Sequence, residues 1–388
     1  MSGKAQVVVC ICLATGLMGG RIVGGAEKET FKCGLTVRDY GVLCKDGKSY
    51  RGIGVNCFDV FLRVLQDPCD VSYQRGFKTL AKYKIPFVRF NCGGMWATDL
   101  ALYTHNKKLY FELLGKVVRA AEENGIGLIP SLFWRMNVVP DLVGESCDQW
   151  GNSKSKTHQF MREYTREVIV RYLHSPAMWG WEFGNEYNLR VDLPNAAKHR
   201  PSVVPRLGTP KSRSERDDLT RGMVQAALTG FAQEVRKYDV YRMISSGNSL
   251  PRKSAWHQRH EKSWGEDSTE QNLEMLLEIN PDPINTLSVH IYNHSFERAQ
   301  MLIEQLHSDK KPLFVGEFGA KGKSEQTKKE FYEILRWIEV EQVDLAALWV
   351  FDYTPQVDYN VDYNNERAYQ LDAIAKANKR LWKGQKRK

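Results

Sequence analysis

From residue 30 onward the chain alternates two textures. Short apolar runs of strand length are each followed by a longer stretch with apolar residues at helical spacing. The runs are Gly52–Cys57, Pro86–Asn91, Gly127–Phe133, Met178–Phe183, Arg242–Ser246, Thr286–Ile291, Leu313–Glu317 and Ala346–Phe351. Most are apolar nearly throughout, as strands buried on both faces of a parallel sheet are. Tyr110, Leu113, Leu114, Val117, Val118 and Ala121 fall on one helical face, and Asn124-Gly125 is a stop signal. Phe331, Ile334, Leu335 and Ile338 repeat the pattern before the last run, and further helical stretches lie near 73–84, 156–173, 215–238, 269–278, 295–307 and 366–381. Eight such alternations predict an α/β fold, a (β/α)8 TIM barrel. A doubly wound open sheet is the alternative, but no GxGxxG follows the first run. Ahead of the barrel, Leu35–Leu43 and Ser49–Ile53 flank Cys44-Lys45-Asp46-Gly47-Lys48. Asp-Gly between strand-like runs predicts a small N-terminal β-hairpin, placed to cap the bottom of the barrel. The longest irregular stretch, Leu189–Ser214, holds Pro194, Pro201, Pro205 and Pro210. It follows the fourth run, on the functional face of a barrel, and is expected to shape a cleft there.

Composition changes this picture little. The chain has 388 residues, 42% hydrophobic and 26% charged, an ordinary globular balance. The net charge of +9 is uneven: of 55 basic residues, seven (Lys376, Lys379, Arg380, Lys383, Lys386, Arg387 and Lys388) lie in the last thirteen positions without an acid, leaving 48 against 46 acidic ones. A near-neutral body argues against nucleic acid as a partner, and the tail reads as a solvated, frayed end. At the other end Lys4 precedes an uncharged stretch, Ala5 to Gly20, with an apolar heart at Val7 to Leu17. That is too short to span a bilayer and has the length of a signal-peptide core, with Ala14-Thr15-Gly16 as an imperfect cleavage site. The expected division is a signal peptide and linker over 1–24 and one catalytic domain over 25–388. The protein would be secreted or periplasmic, without stable membrane insertion; a cytoplasmic protein with a surface-packed N-terminus is the alternative. Arg21-Ile22-Val23-Gly24-Gly25 looks like the activation site of trypsin-like proteases, but neither Gly-Asp-Ser-Gly nor a histidine after paired alanines occurs. All eight cysteines precede residue 148 and none forms a CxxC pair, which speaks against a zinc ribbon or redox dithiol. A Cys33–Cys44 bridge is an open pairing, while Cys57 and Cys92 read as small buried hydrophobes.

Barrel enzymes carry their chemistry at the C-terminal ends of the strands. There the chain offers Asn56 and Asp59, Arg89 and Asn91, Trp134 and Arg135, Asn185 and Glu186, Ser246 and Asn248, His290, Tyr292 and Asn293, Glu317, and Trp349 and Asp352. The stretch WGWEFGNEYNLR holds two glutamates, Glu182 and Glu186. Hydrolysis of a glycosidic bond with retention needs two carboxyls about 5–5.5 Å apart, and inversion roughly 6.5–9.5 Å. Four residues of extended chain separate Glu182 from Glu186 by roughly 13 Å, so they do not form the pair. Glu317, at the end of an apolar strand between glycines, is the better partner for Glu186, with Asp352 in reserve. Glu182 is expected to be a buried structural carboxylate with a cationic or hydrogen-bonding partner, since an unpaired buried charge is costly. Trp134, Trp181, Trp349 and Tyr292 offer flat faces for sugar rings, and Asn185, Arg89 and His290 offer directional hydrogen bonds. His290 and His294 are four apart, but on a strand end and a loop with no Cys or His cluster nearby, so no metal or other cofactor is expected.

Trp181-Glu182-Phe183-Gly184-Asn185-Glu186 resembles the Trp-Glu-x-x-Asn-Glu motif of clan A glycoside hydrolases, most closely family 5, the cellulase and β-mannanase family. Phe87-Val88-Arg89-Phe90-Asn91, Ser288-Val289-His290-Ile291-Tyr292, Val315-Gly316-Glu317-Phe318-Gly319 and Leu348-Trp349 resemble further segments of that family in the same order. The resemblance runs over about residues 30–380. It implies a retaining β-glycoside hydrolase acting on a β-1,4-linked glucan or mannan, or on derived oligosaccharides. Glu186 would be the acid/base and Glu317 the nucleophile. Asn185 would bond the sugar 2-hydroxyl, Arg89 and Tyr292 would hold Glu317, His290 would line the site, and Trp349 would form the platform. The chain departs from many members at the third strand, where Phe133-Trp134-Arg135 stands in place of a histidine. With these residues a low Glu317 pKa beside Arg89 and a raised Glu186 pKa are expected. A non-catalytic carbohydrate-binding barrel and a transglycosylase with the same residues are the alternatives.

Overall fold

The computed structural model describes residues 33–306, 311–341 and 343–385. The expected signal peptide and the Arg21–Gly25 segment lie outside them. The chain opens with three short strands, β1 (Leu35–Arg38), β2 (Val42–Lys45) and β3 (Lys48–Ser49), in an antiparallel meander. Asp46 and Gly47, both at positive φ, make the expected turn between β2 and β3. A second turn at Asp39–Gly41, with Tyr40 at φ 63°, splits the Leu35–Leu43 run, so the expected hairpin has three strands. In its register Thr36 faces Cys44, three residues past Cys33, and both cysteines are free.

Eight parallel strands follow: β4 (Gly52–Asn56), β5 (Phe87–Asn91), β6 (Gly127–Phe133), β7 (Gly180–Gly184), β8 (Met243–Ser245), β9 (Leu287–Tyr292), β10 (Leu313–Gly319) and β11 (Leu345–Leu348). All eight predicted runs are present, with ends shifted by up to three residues; β10 runs two residues further than expected, to Gly319. The ladder runs β8-β7-β6-β5-β4-β11-β10-β9. Side chains bridge its two ends: Asn280 Oδ1 accepts from Ser246 Oγ at 2.7 Å and from Ser288 N at 3.4 Å, and Ile244 N donates to Asn285 Oδ1 at 2.8 Å. The fold is a (β/α)8 barrel. The eight predicted helices are found, among them Lys107–Glu123, Lys156–Tyr172 and Glu325–Val340. Val60–Gln66, Ala97–His105, Val138–Val143 and Ala255–His260 are further helices in loops at the strand ends. The basic tail is helical through Gln385, with Arg380 paired to Glu339, rather than frayed from residue 376. Among the described residues no helix is long and apolar enough to cross a membrane.

Alternation along the strands sorts the core into layers. Val88, Leu128, Trp181, Ile244, Val289, Val315 and Ala346 point outward to the helices. Phe87, Ile129, Met243, Phe314, Leu345 and Ala347 fill the lower barrel, closed below by Leu35 and Leu43 of the meander. Gly54 is obligatory there, because a Cβ would lie 2.3 Å from the Phe87 carbonyl and 2.8 Å from its ring. One layer higher the inward positions turn polar: Asn56, Arg89, Ser131, Glu182, Ser245 and His290 are all buried.

Candidate active site

Arg89 is the hub of this polar layer. Its Nε donates to Glu182 Oε1 at 2.7 Å, and its Nη1 to Asn56 Oδ1 at 3.0 Å and Glu317 Oε1 at 2.9 Å. Its Nη2 donates to Asn185 Oδ1 at 2.8 Å. Glu182 also accepts from Ser245 Oγ at 3.1 Å. The expectation for Glu182 therefore holds, and its partner is Arg89 itself. A guanidinium wholly withdrawn from water needs bonding partners, and these four take up four of its five N–H groups.

Glu317 reaches the barrel interior through an irregularity. Phe314 points in and Val315 out, so strict alternation would send Glu317 outward to the helices. The register with β9 advances two residues on β10, Val315 to Glu317, for one on its neighbour, Val289 to His290. This bulge at Gly316 turns the Glu317 side chain inward, as bulges beside functional sites do. Asn56 Nδ2 donates to the Gly316 carbonyl at 2.9 Å and pins the bulge.

Glu186 sits just past β7 in the left-handed region, at φ 54° and ψ 32°. Its N–H donates to the Gly247 carbonyl at 2.9 Å. Gly247, at φ 70°, tolerates no side chain, since a Cβ would lie 1.9 Å from the Gly184 carbonyl. His290 Nδ1 lies 2.9 Å from Glu186 Oε1 and 3.5 Å from Glu317 Oε2. One carboxylate oxygen of Glu186, one of Glu317 and a ring nitrogen of His290 lie within 4.8 Å of one another. These three could share a cation, but the Arg89 guanidinium already supplies positive charge against Glu317. Tyr292 donates its hydroxyl to Glu317 Oε2 at 2.5 Å.

Burial dominates the ionisation of the cluster. It raises the pKa of Glu186, which Arg89, Ser249 and Arg190 oppose. It also raises that of Glu317; His290 and Arg89 pull it down, while the charge of Glu186 pushes it further up. The expected low pKa of Glu317 is thus corrected: the cost of burying a carboxylate outweighs Arg89, whose charge Glu182 also draws upon. The two carboxyls differ instead in their donors. Glu317 is held by an always-charged guanidinium and by a phenol whose pKa burial and Glu317 push well above 10. Glu186 faces a histidine whose pKa burial lowers to about 4, so the ring is neutral near pH 7.

Of the residues singled out in the sequence, Arg89, Asn185, Glu186, His290, Tyr292 and Glu317 form this one bonded network. With Asn185 Oδ1 turned to Arg89, its amide N–H2 is left to donate elsewhere. Trp134 and Trp349 flank the network; the Arg89 guanidinium lies 4.7 Å from the Trp134 ring centre. The Trp349 indole N–H donates to Gln356 Oε1 at 2.7 Å. Trp181 does not join them. It faces outward, wholly buried, and donates to Asp239 at 2.8 Å, as its place next to inward Glu182 requires. Asp352 is no reserve carboxylate, since it pairs with Arg63 at 3.0 Å. His294 stacks on the Tyr292 ring and is not part of the Glu186–His290–Glu317 cluster. Arg135, at the divergent third strand end, lies 4.9 Å from the Trp96 ring centre. The sequence reading gave no role to Asn56, Ser245 or Phe58. Asn56 stood among the strand-end residues, and inward alternation from Gly54 adds Phe58.

A barrel with Asn-Glu ending its fourth strand and a facing glutamate on its seventh has the makeup of a clan A glycoside hydrolase. A family model described as Cellulase (glycosyl hydrolase family 5) matches residues 46–353, and the chain belongs to that family. The mannan endo-1,4-β-mannosidase A of Podospora anserina is 34% identical over 79 residues, 19% of this chain and 21% of that protein. The chain thus aligns with about a fifth of the length of the curated relatives it matches. Two solved structures share the fold. The endo-1,4-β-mannanase from Rhizomucor miehei has a TM-score of 0.63 at 15% identity, covering 90% of this chain and 99% of that one. A family 5 mannosidase from the same organism has a TM-score of 0.60 at 13% identity, over 92% and 100%.

Proposed function

We propose that the protein is a retaining β-glycosidase acting on β-1,4-linked mannan or glucan, or on oligosaccharides derived from them. The observation that carries this reading is the approach of the Glu186 and Glu317 oxygens to within 4.8 Å at the barrel mouth. Double displacement uses carboxyls about 5–5.5 Å apart, whereas inversion leaves room for a water at roughly 6.5–9.5 Å.

Glu317 is the nucleophile. Arg89 and Tyr292 fix its two oxygens and favour the ionised form. It attacks the anomeric carbon and forms a glycosyl ester. Glu186 is the acid/base. Its raised pKa keeps a proton available for the leaving oxygen, and once the ester forms the Glu317 charge is gone and Glu186 deprotonates water more readily. The free amide N–H2 of Asn185 is the donor for the sugar 2-hydroxyl, and Trp349 underlies the ring. The names of the relatives favour mannan over glucan.

The direct test is turnover of aryl β-mannoside and aryl β-glucoside, with β-mannan and cellulose alongside. Hydrolysis of the β-mannoside at a higher kcat/KM than the β-glucoside is expected. Binding of these sugars without release of the aryl alcohol would instead mean a carbohydrate-binding barrel.

A further inference from the structure

The double displacement gives the cleft a direction. The sugar that is transferred sits on Glu317, and the group that leaves sits beyond Glu186. The barrel mouth is built differently on these two sides. On the Glu186 side, the segments after β7, β8 and β9 and the helix Glu325–Val340 after β10 line a cavity of about 760 Å³. Leu189, Arg252, His294, Phe296 and Glu330 line it together with Glu186. That volume lies within the ~300–1,000 Å³ usual for ligand sites.

The opposite half of the mouth, at the ends of β4, β6 and β11, is filled. Phe58 packs against both tryptophans, with ring centres 5.5 Å from Trp134 and 5.4 Å from Trp349. The tryptophans stack on each other at 6.3 Å, and the Tyr353 ring meets Phe58 edge-on at 4.6 Å. Phe58 and Trp134 are each 6% exposed and Trp349 is 9% exposed. A second sugar upstream of the transferred one needs an uncovered ring face or an open groove. Here these rings spend their faces on one another, apart from the face of Trp349 that underlies the transferred sugar.

This wall is braced. Asn91 N donates to the Phe58 carbonyl at 2.9 Å. Arg63, one turn into the following helix, donates to Asp352 at 3.0 Å and to Ser72 at 3.0 Å, and pairs with Asp59 at 3.4 Å. It thereby ties the Phe58 segment to the segment that carries Tyr353. Trp349 is anchored through Gln356, and Trp134 by the Arg89 guanidinium.

We infer that the site admits a single sugar on the Glu317 side and that the enzyme removes monosaccharides one at a time from the non-reducing end, with Phe58 as the residue that closes the upstream path. This rests on the assignment of Glu317 and Glu186 above. It departs from internal cleavage, the mode in the names of the Podospora relative and the Rhizomucor mannanase.

The test compares 4-nitrophenyl β-mannoside with 4-nitrophenyl β-mannobioside, together with their gluco counterparts and borohydride-reduced mannopentaose. The expected result is immediate nitrophenol from the monoside and a lag from the bioside. The first products of the reduced pentasaccharide should be mannose and the reduced tetrasaccharide. Direct release of a disaccharide, or a rapid fall in the viscosity of β-mannan, would overturn the inference while leaving a retaining hydrolase in place. No turnover of any glycoside would instead bring down the reading of the two glutamates, and this inference with it. In Phe58→Ala, and in the milder Phe58→Leu, the ratio of direct bioside to monoside cleavage should rise at least tenfold. An unchanged ratio in variants that still cleave the monoside would overturn the role of Phe58.

Discussion

Glu317→Ala is expected to lower kcat on an activated aryl β-glycoside by about 10⁴-fold or more, the scale seen when a covalent nucleophile is removed. That is about 5.5 kcal/mol of barrel-mouth stabilisation lost from the transition state. The fold should survive, because Arg89 keeps Glu182, Asn56 and Asn185 as partners. Sodium azide distinguishes the two glutamates. In Glu317→Ala the anion occupies the space of the lost carboxylate and displaces the aryl group once, giving the α-glycosyl azide. In Glu186→Ala, Glu317 still forms the ester from a substrate whose leaving group needs no proton. Azide then attacks from the side Glu186 vacated and gives the β-glycosyl azide. The reverse pairing of products would exchange the two roles, and full activity of Glu317→Ala would remove Glu317 from the mechanism.

Arg89→Ala should be the most destabilising single change in the site. It leaves Glu182 and Glu317 buried without their cation, and breaking a buried pair from one side costs about 3–5 kcal/mol. Both side chains are 5% exposed or less, so solvent screening offers little relief. Urea unfolding should show the midpoint falling accordingly. Arg89→Ala combined with Glu182→Ala should be less destabilised than the sum of the single changes, since the stranded charge goes with its partner. A midpoint within the error of the unsubstituted protein would mean that Arg89 serves chemistry alone. Activity should fall with stability, because the donor holding Glu317 Oε1 is the same guanidinium.

The barrel was legible because its strands are buried on both faces, so each reads as an apolar run with helical spacing behind it. That Glu186 meets Glu317 was legible because Glu182 lies too far from Glu186 along an extended strand, which leaves another strand end to supply the facing carboxylate. Three features escaped for stated reasons. The bulge that turns Glu317 inward depends on register against β9, which one strand's sequence does not contain. The split of the Leu35–Leu43 run into β1 and β2 depends on Tyr40 adopting a left-handed turn, a conformation aromatic side chains seldom signal. The direction of the Glu317 pKa shift depends on how one guanidinium is divided among several acceptors, a matter of three-dimensional geometry. Trp181 is different, since its outward direction follows from alternation with Glu182 and was available to sequence reading.

The configuration of the first product tests the account most directly. Proton NMR of the anomeric signals, recorded in the first minutes of hydrolysis of an aryl β-mannoside before mutarotation, resolves α from β mannose. With Glu186 and Glu317 acting in two displacements, the β anomer appears first and the α anomer grows in only at the rate of mutarotation. Initial appearance of the α anomer would mean a single displacement by water and would contradict the assignment of Glu317 as nucleophile.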